Sequence, residues 1–401
     1  MTSTAEQMRR WAGPAILSYG FRPFFLGAGL WAVISMTLWL LLLAGVVTLP
    51  TVFDPISWHA HEFLFGYLGA VIAGFLLTAV PNWTGRLPIV GWRLGALAGL
   101  WILGRIVIAA SATLPMGIVA AADMAFLLVL AFVIAREIVA GKNWRNLVVL
   151  GMLALFILGN GLFHLEAARD GNPANGTGLR IALAAGILMI AVIGGRIVPS
   201  FTRNWLVKQG NTRLPAAPMQ RFDRIALVAL FGALVLWVGS PDHGLTGAVL
   251  VLAGLMHFMR LARWSGHLTK DEPLVLVLHL GYGFVPLGAL AVGIEIMAPG
   301  TFGMAGALHL WMAGAIGLMT LAVMTRATLG HTGQALTAGH GTVAIYGAFL
   351  IAVMARVAAG AWPEQASVLH HAAGLGWLVA FGGFVLIYGR LLWCKVAAKK
   401  L

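Results

Sequence analysis

The chain alternates between long apolar runs and short polar stretches, and this pattern decides its architecture. A run of about 18 or more mostly apolar residues can cross about 30 Å of hydrocarbon as a helix. Such runs cover residues 24–49, 58–80, 94–113, 116–138, 147–167, 179–198, 222–239, 245–263, 274–297, 304–325, 342–360 and 367–391. The pattern predicts an all-α, polytopic membrane protein of 12 transmembrane helices, forming a single transmembrane domain over 1–401.

The polar positions between the runs predict orientation, because Lys and Arg accumulate on the cytoplasmic side. The N-terminal segment with Arg9, Arg10 and Arg22, the even-numbered connections and the C-terminal tail hold 22 of the 26 basic residues. The odd-numbered connections hold only Arg169 and Arg180, and Arg105 and Arg356 lie within spans. Both termini are therefore expected in the cytoplasm. The N-terminus lacks a short apolar core followed by a small-residue cleavage site, so the first helix is expected to be retained.

The spans also echo one another. The second and tenth each carry a His followed 23 residues later by Thr-Gly: His61 to Thr84-Gly85, and His309 to Thr332-Gly333. The sixth repeats the end of the second, with Val198-Pro199-Ser200-Phe201-Thr202 against Val80-Pro81-Asn82-Trp83-Thr84. Tyr19-Gly20-Phe21-Arg22-Pro23 and Tyr282-Gly283-Phe284-Val285-Pro286 match more faintly. Chance similarity among apolar segments is the competing explanation. The alternative is three four-helix pseudo-repeats, 1–145, 146–270 and 271–401, an architecture resembling the haem-copper oxidase core, although the histidine motif of those subunits is absent.

Composition changes the picture in three respects. Hydrophobic residues make up 60% and charged residues 10%, too little polar surface to coat a soluble globule. The net charge of +13 sits in short loops, which speaks for topology and against nucleic-acid binding. The one cysteine, Cys394, permits neither an internal disulfide nor a thiolate metal site, leaving His, Met and carboxylates as ligands.

Candidate chemistry starts at Trp58-His59-Ala60-His61-Glu62, at the mouth of the second span. Ionisable groups inside a bilayer are costly and mark function by default. With helix directions assigned, His59, His61 and Glu62, His164, His309, and His370 with His371 all fall at the outer level. On a regular helix His59, Glu62, Gly66, Gly69 and Ala73 form one stripe, and His61 points about 200° away from His59. Two centres, or one ligand and one orienting residue, are expected from that pair.

A second level holds His257, His279, His331 and His340, with Arg196 and Arg326 nearby as partners for haem propionates. Arg105 and Asp123 lie equally far from Leu114 in a tight hairpin, which predicts a structural ion pair within the membrane. Arg356 is expected to face Glu62 or a propionate. Any one of these histidines alone is more simply an interhelical hydrogen-bonding group than a ligand.

Segments GFRPFFLGAGLWAV (Gly20 to Val33), WHAHEFLFGYLGAVIAGFLLTAVPNWTGR (Trp58 to Arg86), GGRIVPSFT (Gly194 to Thr202), LHLGYGF (Leu278 to Phe284) and HLWMAGAIGLMTLAVMTRATLGHTG (His309 to Gly333) closely resemble the NnrS family of bacterial membrane proteins. That resemblance implies an inner-membrane protein carrying haem, expected to be of b type, and copper. It also implies a link to denitrification and to tolerance of nitric oxide. The family's histidines in these segments fall on His59, His61, His279, His309 and His331, whereas His164, His370 and His371 rest on the depth argument alone.

The leading expectation is a metal-centre protein that binds or handles nitric oxide. An enzymatic version needs quinol or another electron donor and a proton supply, for which Glu62 and Asp123 are the only acids well within spans. The competing classes are a transporter of a metal ion or small metabolite, with the histidines as its permeation site, and an assembly partner for denitrification enzymes.

Overall fold

The computed structural model describes residues 11–86, 88–169 and 171–395; Arg9, Arg10, Lys399 and Lys400 of the orientation argument lie outside them. Each apolar run forms a helix, and no strand occurs among the described residues. The helices are α1 Phe21–Leu43, α2 Pro55–Thr84, α3 Trp92–Ala109, α4 Met116–Ala140, α5 Trp144–Ala167 and α6 Thr177–Lys208. They continue with α7 Arg221–Gly239, α8 Gly244–Ala262, α9 Pro273–Met297, α10 Met304–His331, α11 His340–Ala361 and α12 Pro363–Trp393. The chain is a multi-pass membrane protein. Of these 12 helices, α2, α6, α9 and α10 are the most enclosed, buried over 67–83% of their apolar windows against 33–50% for the others.

Boundaries follow local chemistry. The Asp54 carboxylate accepts from the amides of Ile56 (2.9 Å) and Ser57 (3.0 Å) and Pro55 occupies the first turn, which fixes where α2 starts and where His59 and His61 fall. Gly45, at φ +67°, follows the end of α1 six residues before the apolar run ends. In the other direction, α6 runs ten residues beyond its apolar run and α10 six, because more polar turns continue both helices after the hydropathy falls.

The repeated sequence elements have repeated backbone roles. Thr84, Thr202 and Thr332 each donate their hydroxyl to the carbonyl four residues back, at 2.8, 2.9 and 2.7 Å. Gly85 and Gly333 of the two Thr-Gly pairs adopt φ +67° and +69°, the left-handed geometry that ends a helix. The same three helices contain π-helical stretches, Glu62–Leu68 in α2, Ile190–Gly194 in α6 and Leu310–Leu318 in α10. A π stretch leaves carbonyls out of register, and buried carbonyls in a bilayer need other donors. Trp101 Nε1 donates to Gly66 O (2.9 Å) in the first, and Arg260 Nη1 to Ala191 O (2.9 Å) in the second.

The chain divides into two compact units. One comprises Met1–Ala182, Thr328–Gln334 and Phe384–Leu401. Here Arg22 Nη1 donates to the carbonyls of Leu391, Leu392 and Cys394 (3.0, 3.1 and 3.0 Å), neutralising the negative end of α12. The other comprises Leu183–Ala327 and Ala335–Gly383. In it α8 and α9 touch backbone to backbone: a Cβ on Gly247 would stand 2.7 Å from Gly293 O, and one on Gly293 2.6 Å from Gly247 O. Gly247→Val or Gly293→Val should therefore lower stability by about 1–3 kcal/mol, as overpacking does; a lower midpoint of thermal unfolding in detergent is the readout.

Candidate metal centre

Five polar side chains from four helices of the first unit meet inside α2–α5: His61 and Glu62 from α2, Arg105 from α3, Asp123 from α4 and His164 from α5. None is more than 5% exposed. Arg105 Nη1 donates to Glu62 Oε1 (2.7 Å) and Nη2 to Asp123 Oδ1, so one guanidinium ties α2 to α4. Asp123 Oδ2 faces three groups, Asn160 Nδ2 at 2.8 Å, His164 Nε2 at 3.1 Å and His61 Nε2 at 3.2 Å. His61 Nδ1 lies 3.0 Å from Glu62 Oε1.

The π-helical stretch is what allows this arrangement. It begins at Glu62 and widens the turn, so the regular-helix stripe expected from His59 through Ala73 does not survive it. Gly66 supplies the remaining room. A Cβ there would stand 2.7 Å from Arg105 Nη1, 2.8 Å from Glu62 Oε2 and 2.9 Å from Trp31 Nε1, so only glycine admits the guanidinium. Aromatic rings close the site: Phe53 stacks on His61 with centroids 5.6 Å apart and meets His164 edge-on at 6.0 Å, while Phe65 and Phe163 lie 5.1 and 5.4 Å from His61.

The cluster carries more carboxylate than guanidinium. In their ordinary ionised forms Glu62 and Asp123 bring two negative charges and Arg105 one positive, leaving a net charge of −1 in a dry interior. That is expensive unless a metal ion, or a proton on one of the facing imidazoles, completes it. His61 Nε2 approaches Asp123 Oδ2 at an angle too poor for a hydrogen bond, and His164 Nδ1 is buried without a partner. One nitrogen each from His61 and His164 and one oxygen of Asp123 lie within 4.8 Å of one another. Ligands about 2.0–2.1 Å from a metal stand roughly 3 Å apart from each other. The donor set therefore fits a single transition-metal ion with two imidazoles and one carboxylate.

The second unit holds a buried cluster of its own. Arg260 Nε donates to Asp223 Oδ1 (3.1 Å) and Nη1 to Tyr282 Oη (2.7 Å). His257 has Nε2 3.1 Å from Ala226 O and Nδ1 2.8 Å from Tyr282 Oη. A carbonyl only accepts, so Nε2 carries the proton and Nδ1 accepts from the tyrosine. Both nitrogens of His257 are thus used internally, which removes it from the level of histidines expected to hold haem.

The remaining expected residues are dispersed. His279 Nε2 donates to Thr202 Oγ1 (2.7 Å), while its Nδ1 is buried without a partner and Gly266 packs so close that a Cβ there would stand 2.6 Å from it. His331 is exposed and its ring packs against Tyr19 and Phe21, at 5.4 and 5.3 Å. His59 stacks on Trp39 (4.3 Å) and Phe63 (4.4 Å), away from the ring contacts of His61. His309 and His371 each donate Nδ1–H to the carbonyl four residues earlier, Ala305 O at 2.6 Å and Ser367 O at 2.7 Å. His370 is half-buried and feels the charge of Arg356.

Glu62, expected to face Arg356, is held by Arg105 and His61. Arg326 lies over the Phe201 ring at 4.3 Å, and Arg196 is half-buried. Arg105 and Asp123 do pair, but the same carboxylate also faces two imidazoles, which a hairpin argument cannot see. Asn160 was overlooked, although an amide one turn before His164 in an apolar span was a signal.

For haem, the residues that each unit presents by itself fit less well than for a metal ion. Between His61 and His164 the Asp123 oxygen occupies the position that iron would need. The ring centroids are 5.3 Å apart and inclined at 66°.

Fold and site together define a class: a polytopic membrane protein of 12 helices with an intramembrane centre of imidazoles and carboxylates. The chain belongs to the NnrS family, whose description, NnrS protein, matches residues 15–395. Comparison with curated proteins finds no match.

The ionic architecture makes a prediction. Arg105→Met should cost about 3–5 kcal/mol, because it strands two buried carboxylates. Adding Glu62→Gln should recover a large part by restoring the net charge of −1. Thermal unfolding of the three proteins in one detergent checks this; equal stability of wild type and Arg105→Met would contradict it.

Proposed function

We propose that this nitric oxide response protein works through a transition-metal ion, copper by family resemblance, held by His61, Asp123 and His164, and that nitric oxide is its ligand. The observation that carries the reading is the buried trio of donor atoms within 4.8 Å, in a cluster where two carboxylates face one guanidinium. When bound, such an ion supplies an open coordination position for a diatomic ligand.

The chain's own residues prepare that position. Glu62 accepts from His61 Nδ1–H, which fixes the tautomer and leaves Nε2 bare on the side of Asp123. Arg105 anchors the opposite oxygen of Asp123, and Asn160 steers the ligating one. Phe53, Phe65 and Phe163 keep water out, while a small neutral gas passes apolar side chains readily. The alternating charge of the connections supports placement in a bacterial inner membrane with both termini cytoplasmic. Haem of b type belongs to the same reading through family resemblance, and quinol or another donor enters only if the gas is turned over.

The test is metal analysis of protein purified in detergent from a host replete in copper and iron, with reduced and oxidised spectra, followed by anaerobic nitric oxide. About one non-haem metal ion per chain is expected, with a nitrosyl signal on adding the gas. Asp123→Ala and His164→Ala should lower the non-haem metal about tenfold or more, and Asn160→Ala should weaken its affinity about tenfold. Undiminished metal in all three variants, or none in the wild type, would sink the assignment.

A further inference from the structure

A feature of the second unit, unconnected with the metal centre, carries a separate inference. Beside the start of α7 lies an open groove of about 600 Å³ lined by Arg221, Arg224, Ile225, Val228 and Ala229. Positions 221, 224, 225 and 228 recur at helical spacing, so they stand on one face with the two guanidiniums at its upper end. Both arginines are exposed, and neither has an acidic partner among the described residues. Asp223, between them in sequence, is buried and turned inward to Arg260 and Arg263.

Directly below the guanidiniums the face is apolar and open: Ile225 is 51% and Val228 70% exposed. Phe231 and Val235 continue the exposed strip, and Gly232, with nothing within 4 Å of where its side chain would be, leaves a lane beside them. The 19 residues of α7 span about 28 Å at 1.5 Å per residue, so Arg221 and Arg224 fall at the hydrocarbon boundary and the strip lies in the acyl layer. Arg203 and Lys208, exposed on the last turns of α6, and Arg213, exposed on the connection that leads into α7, add to the positive potential.

We propose that this groove is a binding site for an anionic phospholipid, its phosphodiester held by Arg221 and Arg224 and an acyl chain lying along Ile225, Val228, Phe231 and Val235. Guanidiniums bind phosphate oxygens in a forked, charge-assisted geometry; a zwitterionic headgroup offers the same phosphodiester but adds an ammonium that the two arginines repel. Free phosphate would answer the two arginines but leave the apolar strip unused, which is why the occupant is a lipid.

The test uses the full-length protein in detergent with a phosphatidylglycerol probe bearing a photoreactive acyl chain, the labelled peptides being mapped by mass spectrometry. Labelling within residues 221–239 is expected, competed by unlabelled phosphatidylglycerol and not by phosphatidylcholine or inorganic phosphate. Arg221→Gln with Arg224→Gln should reduce it about tenfold or more, as loss of two basic contacts implies, at unchanged thermal stability. The competition series needs no variant and decides the matter if the double variant folds poorly. Equal competition by phosphatidylcholine, displacement by inorganic phosphate, or full labelling of a well-folded double variant would each overturn the proposal.

Discussion

One guanidinium shared by two carboxylates in the interior of a membrane helix bundle organises the first unit. Arg105 reaches Glu62 on α2 and Asp123 on α4, and among the described residues no other Lys or Arg pairs with either acid. The backbone is adapted to it: α2 widens into a π-helical stretch at Glu62, and Gly66 withholds the side chain that would occupy the guanidinium's place. The second unit repeats the device with different partners. There Arg260 donates to Ala191 O of the stretch Ile190–Gly194, and Gly195 lies so close that a Cβ would fall 2.0 Å from Arg260 Nη2. Asp223 faces Arg260 and the half-exposed Arg263, whereas Arg105 alone faces two acids. The difference separates a cluster rich in guanidinium from one rich in carboxylate.

The 12 spans were legible because length and hydropathy alone decide them in hydrocarbon. What escaped was whatever depends on a departure from regular geometry. The interval from Glu62 to Gly69 reads as ordinary helix in any periodic scheme, since no residue type announces a π turn. The polar continuation of α6 to Lys208 and of α10 to His331 was lost for a related reason: hydropathy registers the end of the bilayer, which here is not the end of the helix.

The candidate centre was legible in depth and illegible in azimuth. Helix direction groups His61, Glu62 and His164 at one height, but height is shared around a whole bundle, and only tertiary packing selects which side chains turn toward each other. His59, two residues from His61, lies against Trp39 and Phe63 instead. Arg105 and Asp123 were found through the symmetry of their hairpin. The imidazoles that meet the same carboxylate come from α2 and α5, outside it, so the pair was seen without its setting.

The bond from Arg22 to the carbonyls of Leu391, Leu392 and Cys394 joins segments separated by almost the entire polypeptide. Because the first unit also recruits Thr328–Gln334 and Phe384–Leu401, a ribosome must pass α12 before that unit has every part. The helices α1–α5 thus stay without these partners until α12 has been made. Truncation anywhere in α12 would leave an early-made region, far away in sequence, without its closing element.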